Sequence, residues 1–487
     1  MGGGSVSTPR DFAAPAVNEA RCWGWLMQLG EITDPARPWT RTAFSERHGL
    51  GRAFLAARMR ELGLATSIDA AGNLIGRWEG TEPSVGTIMI GSHSDTVVGG
   101  GRFDGIAGVI AGLEIAAALR DGGVRLRHAL EIVDFLAEEP NEFGLSCVGS
   151  RGMAGALDEG LLGRRNRAGG TLREGIAGVR AQVGAVVPNS GAGVGGGAGA
   201  GGGAGGGLRY GVGVGAGAAE AGVSAGVGSD VGAGLGRNAG THSEASGIGV
   251  ARRSDVVAFF ELHIEQGPVL EAQQRDVGVV THIAGIRRLA LTFKGQAAHA
   301  GTTPLDLRAD ALVSAARFVL DLRAALERRP PSRQLVIATV GEIHVAPNAP
   351  NVVPGEAKLV VDLRSDASEQ LAEWAERIRV LAEQAVGGTK VKLTEFRQLS
   401  ATEPTTCAPA LTELLRAAAG ELGLRQQDIV SGAGHDAAFL AQIAPAAMLF
   451  VPSRDGMSHC AEEWTDSDAL AKGVAAVLRA VRAFDLR

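Results

Sequence analysis

A short apolar run, Thr87–Ile90, ends on Gly91-Ser92-His93-Ser94-Asp95, and the glycine-rich segment Gly99-Gly100-Gly101-Arg102-Phe103-Asp104-Gly105 then leads into Ile106–Leu119. That last stretch has apolar residues at helical spacing and good helix formers, so the order is strand, polar loop, helix. A strand followed by a crossover helix belongs to a parallel sheet covered on both faces. In open sheets of that kind, ligands collect beyond the carboxyl ends of the strands, where His93, Asp95 and Asp104 fall. An imidazole and carboxylates over glycine-rich backbone suit a divalent metal. The loop fits neither the Walker spacing nor GxGxxG, because position 104 is Asp. A single His-x-Asp is also what a capped turn offers, so the weight falls on the rest of the chain.

A second largely apolar run, Ala129–Leu136, goes straight into Ala137-Glu138-Glu139-Pro140. Adjacent carboxylates at a strand end can be aimed differently, one binding a metal while the other serves as a general base. Taken alone, the pair reads first as a solvated acidic turn. Two more strands end in histidine: Ala258–Ile264 carries His263, and His459 follows Ala446–Val451 in Met457-Ser458-His459. Together His93, Asp104, Glu139, His263 and His459 make five potential ligands at strand ends of one α/β domain. Two metals need about this many, with Asp104 as the bridge and a pair of terminal ligands on each ion. Asp95 could orient the His93 imidazole, leaving Glu138 free as base.

Before these strands, Val17–Leu29 and Arg41–Leu64 read as helices, the latter with a break near Gly49-Leu50-Gly51, and 65–78 reads as a hairpin. Residues 284–400 form a compact βαββαβ set: Leu289–Lys294, Ala309–Glu327, Leu335–Val345, Ala357–Leu363, Ser368–Val386 and Lys390–Phe396. This ferredoxin-like unit carries His299, Asn348, Asn351 and Arg364 near its edges. The doubly wound character then returns with helix Leu411–Leu422, strand Ala446–Val451 and a closing helix over 466–484. The expected organisation is therefore an α/β domain, residues 1–283 and 401–487, interrupted by a smaller unit at 284–400.

Glycine is over-represented at 72 of 487 residues, and the excess is local, since 191–207 contains only Gly, Ala and one Val. Such a segment buries too little to offset its ordering entropy, so about 165–252 reads as a flexible low-complexity insertion; it has no strict G-X-Y period. The chain as a whole is 45% hydrophobic, enough for a substantial core. A net charge of −6 without a basic stripe argues against nucleic acid as a partner. Four scattered cysteines without CxxC spacing suggest a reducing, cytoplasmic setting. The N-terminus lacks the charged and apolar regions of a signal peptide, and Val6 breaks the myristoylation pattern. No apolar run approaches the roughly 18 residues that span a membrane.

The motifs GSHSDTVVGGGRFDG, FLAEEPNEFG, ELHIEQGPVLE, AAHAGTTP, PNAPNVVPGE with DLRSD, SGAGHDAA and SRDGMSHCAEE resemble those of the M20 family of dinuclear metallohydrolases. The pairing of ELHIEQGPVLE with HAGTTP points to its ureido branch, which holds allantoate amidohydrolase, N-carbamoyl-L-amino-acid hydrolase and β-ureidopropionase. The resemblance implies an aminopeptidase-like catalytic domain with a ferredoxin-like lid and dimerisation domain, a homodimer, and two divalent ions of zinc, manganese, cobalt or nickel. His93 and His263 would hold one ion, Glu139 and His459 the other, with Asp104 bridging and Glu138 as acid/base. His299 would stabilise the oxyanion, Asn351 and Arg364 would bind substrate, Arg287 would meet a carboxylate, and Gln266 and His435 would line the pocket. The implied activity is hydrolysis of the carbamoyl group of a small ureido acid, either an N-carbamoyl-L-amino acid (or N-carbamoyl-β-alanine) or allantoate. An aminoacylase or dipeptidase, or a catalytically silent metal-binding relative, are the other readings. Ile286 and Glu142 depart from the family pattern, which carries Gln and often a basic residue there.

Overall fold

The computed structural model describes residues 15–186, 252–330, 332 and 334–487. The N-terminal pentapeptide, Val6 and residues 187–251 of the expected insertion lie outside the described residues.

The larger sheet has nine strands, in the order Ala65–Ile68, Leu74–Trp78, Ala129–Phe135, Thr87–His93, Val256–Ile264, Ala446–Val451, Val277–Ile283 and Thr405–Thr406. Gln426–Ser431 pairs alongside Val277–Ile283 in parallel. The four central strands, 129–135, 87–93, 256–264 and 446–451, run parallel, with His93 opposite Phe135 and Phe450 opposite His263. Their carboxyl ends therefore share one edge, and that edge carries the polar loops. Side chains alternate between faces with period two. Ile88, Ile90 and Ile132 pack into a core with helices Glu19–Gly30, Ile106–Asp121, Pro409–Glu421 and Ser467–Asp485, whereas Met89 and Val133 join a second core on the opposite face. Burial on both faces accounts for the continuous apolar runs.

The smaller sheet is antiparallel throughout, in the order Lys392–Thr402, Gly285–Lys294, Glu356–Ser365, Val336–Ala346. Helices Ala311–Glu327 and Ser368–Val386 cover one face, closing a core of Leu289, Leu291, Phe293, Phe318, Val361 and Trp374. Strand Glu356–Ser365 shows the alternation directly, with 357, 359, 361, 363 and 365 buried.

Two expectations are corrected. Helix Glu46–Glu61 passes through Gly49-Leu50-Gly51 without a break, because it is capped by Ser45 and buries His48, Arg52, Leu55 and Met59. Packing outweighs the roughly 1 kcal/mol that each interior glycine costs. The proposed insertion also begins too early: Arg165 bridges Thr171, and helix Leu172–Val186 follows. Leu172, Ile176 and Val179, at helical spacing, are buried in the main core. Among the described residues, no helix is long and apolar enough to cross a membrane.

Candidate metal centre

The residues at the shared edge converge on Asp104. Its Oδ1 lies 3.1 Å from His263 Nε2 and 3.8 Å from His93 Nε2, and its Oδ2 lies 2.9 Å from His459 Nε2. His459 Nε2 is in turn 3.3 Å from Glu139 Oε1. Of three candidate ligand groups among the described residues, two, His93–Asp104–His263 and Asp104–Glu139–His459, have Asp104 in common, and the third, Glu261–His263–His435, shares His263 with the first. The two oxygens of Asp104 divide between its two groups, as a bridging carboxylate requires.

Local backbone explains how these side chains meet. Gly105 has φ +64°, and a Cβ there would stand 2.3 Å from His93 Nε2, so only glycine allows Asp104 to pass this close to the imidazole. Ala137, Gln266 and His459 all have φ between +54° and +57°, an unfavourable conformation for residues with side chains. Strain of this kind clusters at functional sites, and here it lies beside Glu138 and on a candidate ligand.

The centre is buried apart from His459, whose side chain is 48% exposed. Burial opposes the charged form of His93, but the carboxylates of Glu138, Asp95 and Asp104 outweigh it and hold this imidazole well above its ordinary value. Burial likewise opposes ionisation of Asp104, yet His263 and His459 hold it well below the usual carboxylate range. Hydrogen bonds to Asp104 and Glu139 raise His459 to about 10. The site is thus electrostatically arranged around charge, and its donor set of imidazole nitrogens and carboxylate oxygens fits two borderline divalent ions.

Glu138 stands at the rim of the first group, with Oε2 3.6 Å from His93 Nε2, and Cys147 Sγ donates to its Oε1 at 3.5 Å. Burial, with Glu139 beside it, pushes this carboxyl well above its ordinary value. Asp95 meets His93 through its main chain. Its carboxylate accepts from the backbone N–H groups of Glu138 and Glu139, both at 3.2 Å, and it is its main-chain carbonyl that meets His93 Nδ1, at 2.9 Å. The residue therefore ties two ligand loops together. Behind it, buried Arg41 donates to Ser94 O at 2.7 Å, and buried Arg52 pairs with Asp134 at 2.9 Å.

Gln266 also reaches the centre, its Nε2 donating to Asp104 Oδ2 at 3.0 Å and to Ser458 Oγ at 3.3 Å. His435 is buried, 2.8 Å from Ser431 Oγ, with its ring edge-on to His263 at 4.6 Å. Sequence reasoning passed over two carboxylates. Glu261 accepts from Ser92 Oγ at 2.7 Å, and the signal for it is its place two residues before His263, on the same face of the strand. Glu463 accepts from the N–H groups of Phe103 and Asp104, and its pKa is pushed up to about 7 by burial and by Asp104 beside it.

Of the residues expected to contact substrate, Gln266 joins this cluster, while His299, Asn351, Arg364 and Arg287 make their contacts elsewhere. His299 and Asn351 are together on a small exposed patch, with His299 paired to Val352 and the N–H of Ala300 donating to Asn351 O. His299 Nδ1 accepts from Gly301 and Thr302 N–H, leaving Nε2 outward. Arg364 spends its fork on Asp362, Nε to Oδ1 at 2.6 Å, and on the Gly432 carbonyl of the larger unit at 2.7 Å. Arg287 faces elsewhere: it sits opposite buried Leu363, on the helix-covered face of the small sheet, 3.8 Å from Glu403. Arg364 projects from the other face, so the two guanidinium groups do not converge.

Comparisons with known proteins agree with this geometry. The profile of peptidase family M20/M25/M40 matches residues 89–483. An N-carbamoyl-L-amino-acid amidohydrolase of Paenarthrobacter aurescens is 37% identical over 92% of this chain and 93% of its own. An allantoate amidohydrolase of Bacillus subtilis (strain 168) is 30% identical over 93% and 94%. A crystal structure of an amidase of the hydantoinase/carbamoylase family from Burkholderia multivorans superposes with a TM-score of 0.78 at 31% identity, covering 98% of this chain and all of that one.

Proposed function

The chain belongs to peptidase family M20/M25/M40, and from that membership we propose that it is a metal-dependent amidohydrolase cleaving the carbamoyl C–N bond of an N-carbamoyl-L-amino acid. The observation that carries the reading is the pair of ligand groups sharing Asp104, in a chain whose relative acting on such substrates aligns almost end to end.

A ureido carbonyl is a poor electrophile, and two bound divalent ions would supply Lewis-acid polarisation and a nucleophilic water near neutral pH. His93 and His263 would hold one ion, Glu139 and His459 the other, with Asp104 shared between them. Glu138, beside His93, takes the proton of the attacking water and returns it to the leaving nitrogen. Arg364 offers the planar fork that suits the substrate carboxylate, with Asn351 next to the patch that presents His299 towards the oxyanion. Binding then requires Arg364 to exchange the Gly432 carbonyl for substrate, so the smaller unit acts as a lid.

The second copy of the chain in a homodimer is the partner that fits the smaller unit. Its edge strand Val336–Ala346 exposes Ile337 and Ile343, and helix Ala311–Glu327 exposes Val313 and Leu320, at 64% and 70%. An unpaired edge beside apolar side chains invites pairing with another sheet. Four free cysteines, three of them buried, accord with a cytoplasmic setting.

Allantoate is the second reading, favoured by the Bacillus subtilis relative, since it too presents a carboxylate beside a ureido group. The test is ammonia release by protein reconstituted with Zn2+ or Mn2+, on N-carbamoyl-L-amino acids, N-carbamoyl-β-alanine and allantoate, with amine release from an N-acetyl amino acid as the counter-assay. Turnover of N-carbamoyl-L-amino acids, lost on chelation and restored by metal, is expected. Preference for allantoate selects the second reading, and amine release alone overturns both.

A further inference from the structure

One buried carboxylate outside the ligand set connects both halves of the centre. Glu463 Oε1 accepts from Phe103 N–H at 2.7 Å and Asp104 N–H at 3.1 Å, while its Oε2 accepts from Ser458 Oγ at 2.8 Å, one residue before His459. A turn closed by Glu463 N–H on Cys460 O, at 3.2 Å, folds this side chain back beneath His459. The fit leaves no slack: Gly101 has φ +101°, and a Cβ there would lie 2.3 Å from Glu463 Oε1. Trp464 adds a second hold, packing edge-on against Phe103 at 5.5 Å and under the Arg102 guanidinium at 4.8 Å.

We propose that Glu463 is a positioning residue that sets the bridging carboxylate Asp104 and the ligand His459 at the spacing the second ion needs. It touches neither substrate nor any ligand atom; it fixes the main chain of one ligand and the loop of the other, across more than 350 residues of sequence. The N–H groups of Phe103 and Asp104, just ahead of helix Ile106–Asp121, both end on this single oxygen, and that of Gly105 ends on His263 Nε2, so the main chain that carries Asp104 is fixed with Oδ2 on the His459 side. The inference rests on the two-ion reading above.

Metal binding by the full-length chain tests it, using equilibrium dialysis against Zn2+ and against Mn2+ with elemental analysis, beside thermal melting of the metal-free protein. Wild type is expected to bind two ions, and Glu463→Ala to keep the first while its affinity for the second falls about 10–100-fold. Glu463→Gln, which retains an acceptor for both amides, should recover most of that loss. Should Glu463→Ala fail to fold, Ser458→Ala cuts the His459 arm, together with the longer Gln266 Nε2 contact to Ser458, and leaves the Phe103 and Asp104 amides on Glu463. It should weaken the second ion several-fold at an unchanged melting temperature, whereas Gln266→Ala, which removes that contact but leaves Ser458 on Glu463, should not reproduce the loss. Wild-type affinity for both ions in Glu463→Ala or, failing its folding, in Ser458→Ala overturns the inference, as does a lower melting temperature with affinity unchanged. Wild-type protein binding neither ion sinks the two-ion reading itself, and the inference with it.

Discussion

The two polar regions of this molecule are built on opposite principles. At the edge of the large sheet, His93, Asp104, Glu139 and His263 are buried, held by other buried groups and already within 4 Å of their neighbours. On the small unit, His299 and Asn351 are exposed, Arg364 is occupied by Asp362 and Gly432, and Arg287 faces away from Arg364. The first region has its desolvation and ordering cost met by folding, so it is preorganised for charge. The second is not assembled, and in the function proposed above it would meet substrate by movement of the small unit or by contact with another copy of the chain. That proposal puts chemistry and substrate selection on separate scaffolds, and the two should then fail in different ways when altered.

The largest effect is expected in the buried region. Glu138→Gln keeps the size of the side chain and removes its ability to carry the proton, so kcat should fall by about 10²–10⁴-fold. KM and the number of ions bound should stay within a few-fold of wild type, which steady-state kinetics and elemental analysis would show. A variant retaining more than a tenth of wild-type kcat would break the comparison, because the proton would then be moving through some group outside this cluster.

The same contrast decides what could be read from the sequence. His93, Glu138–Glu139 and His263 were legible because each stands at the end of a continuous apolar run, and a strand buried on both faces announces its own end; His459, eight residues beyond Val451, was legible through the motif around Met457-Ser458-His459. Helix Leu172–Val186 was not, since its three buried residues are diluted by Gly and Ala and abut a run with no large side chains. Asp95 was given its neighbour but not its atoms: spacing says that it lies by His93, not that its main-chain carbonyl makes that contact while its carboxylate turns to the amides of Glu138 and Glu139. Glu463 was invisible in the same way, because its partners are main-chain groups some 360 residues distant, and a backbone N–H leaves no mark in a sequence. Arg287 and Arg364 both match motif positions, whereas the face on which each projects depends on strand register.

A smaller effect is expected on the small unit. Arg364→Lys keeps the charge and loses the fork, so KM should rise about 10-fold, the cost of one charge-assisted hydrogen bond, with kcat nearly unchanged. Asp362→Asn weakens the competitor for the same guanidinium and should lower KM. A fall in kcat equal to the rise in KM would place Arg364 in the chemical step and erase the division of labour drawn above.

The smallest effect belongs to charge in neither region, where it calibrates how little an exposed network contributes. Asp276 at the start of strand Val277–Ile283 accepts from Arg425 at 3.0 Å and from Lys472 at 3.2 Å, and the Arg425 bond, against a modest desolvation, lowers its pKa to about 2. An unfolded Asp titrates near ~3.9, so the folded state binds its proton less readily, and the pair adds stability that is present above ~4 and fades as pH falls through about 2. Because Arg425, the main partner, is mostly in solvent and Lys472 is about a third exposed, that contribution should stay below ~1 kcal/mol. Asp276→Asn should therefore melt slightly lower than wild type at pH 6, and the difference should shrink towards zero at pH 2 if the protein still melts cooperatively there. A gap that persists unchanged at low pH would mean that the side chain acts by packing, and that charge outside the ligand cluster contributes even less than this.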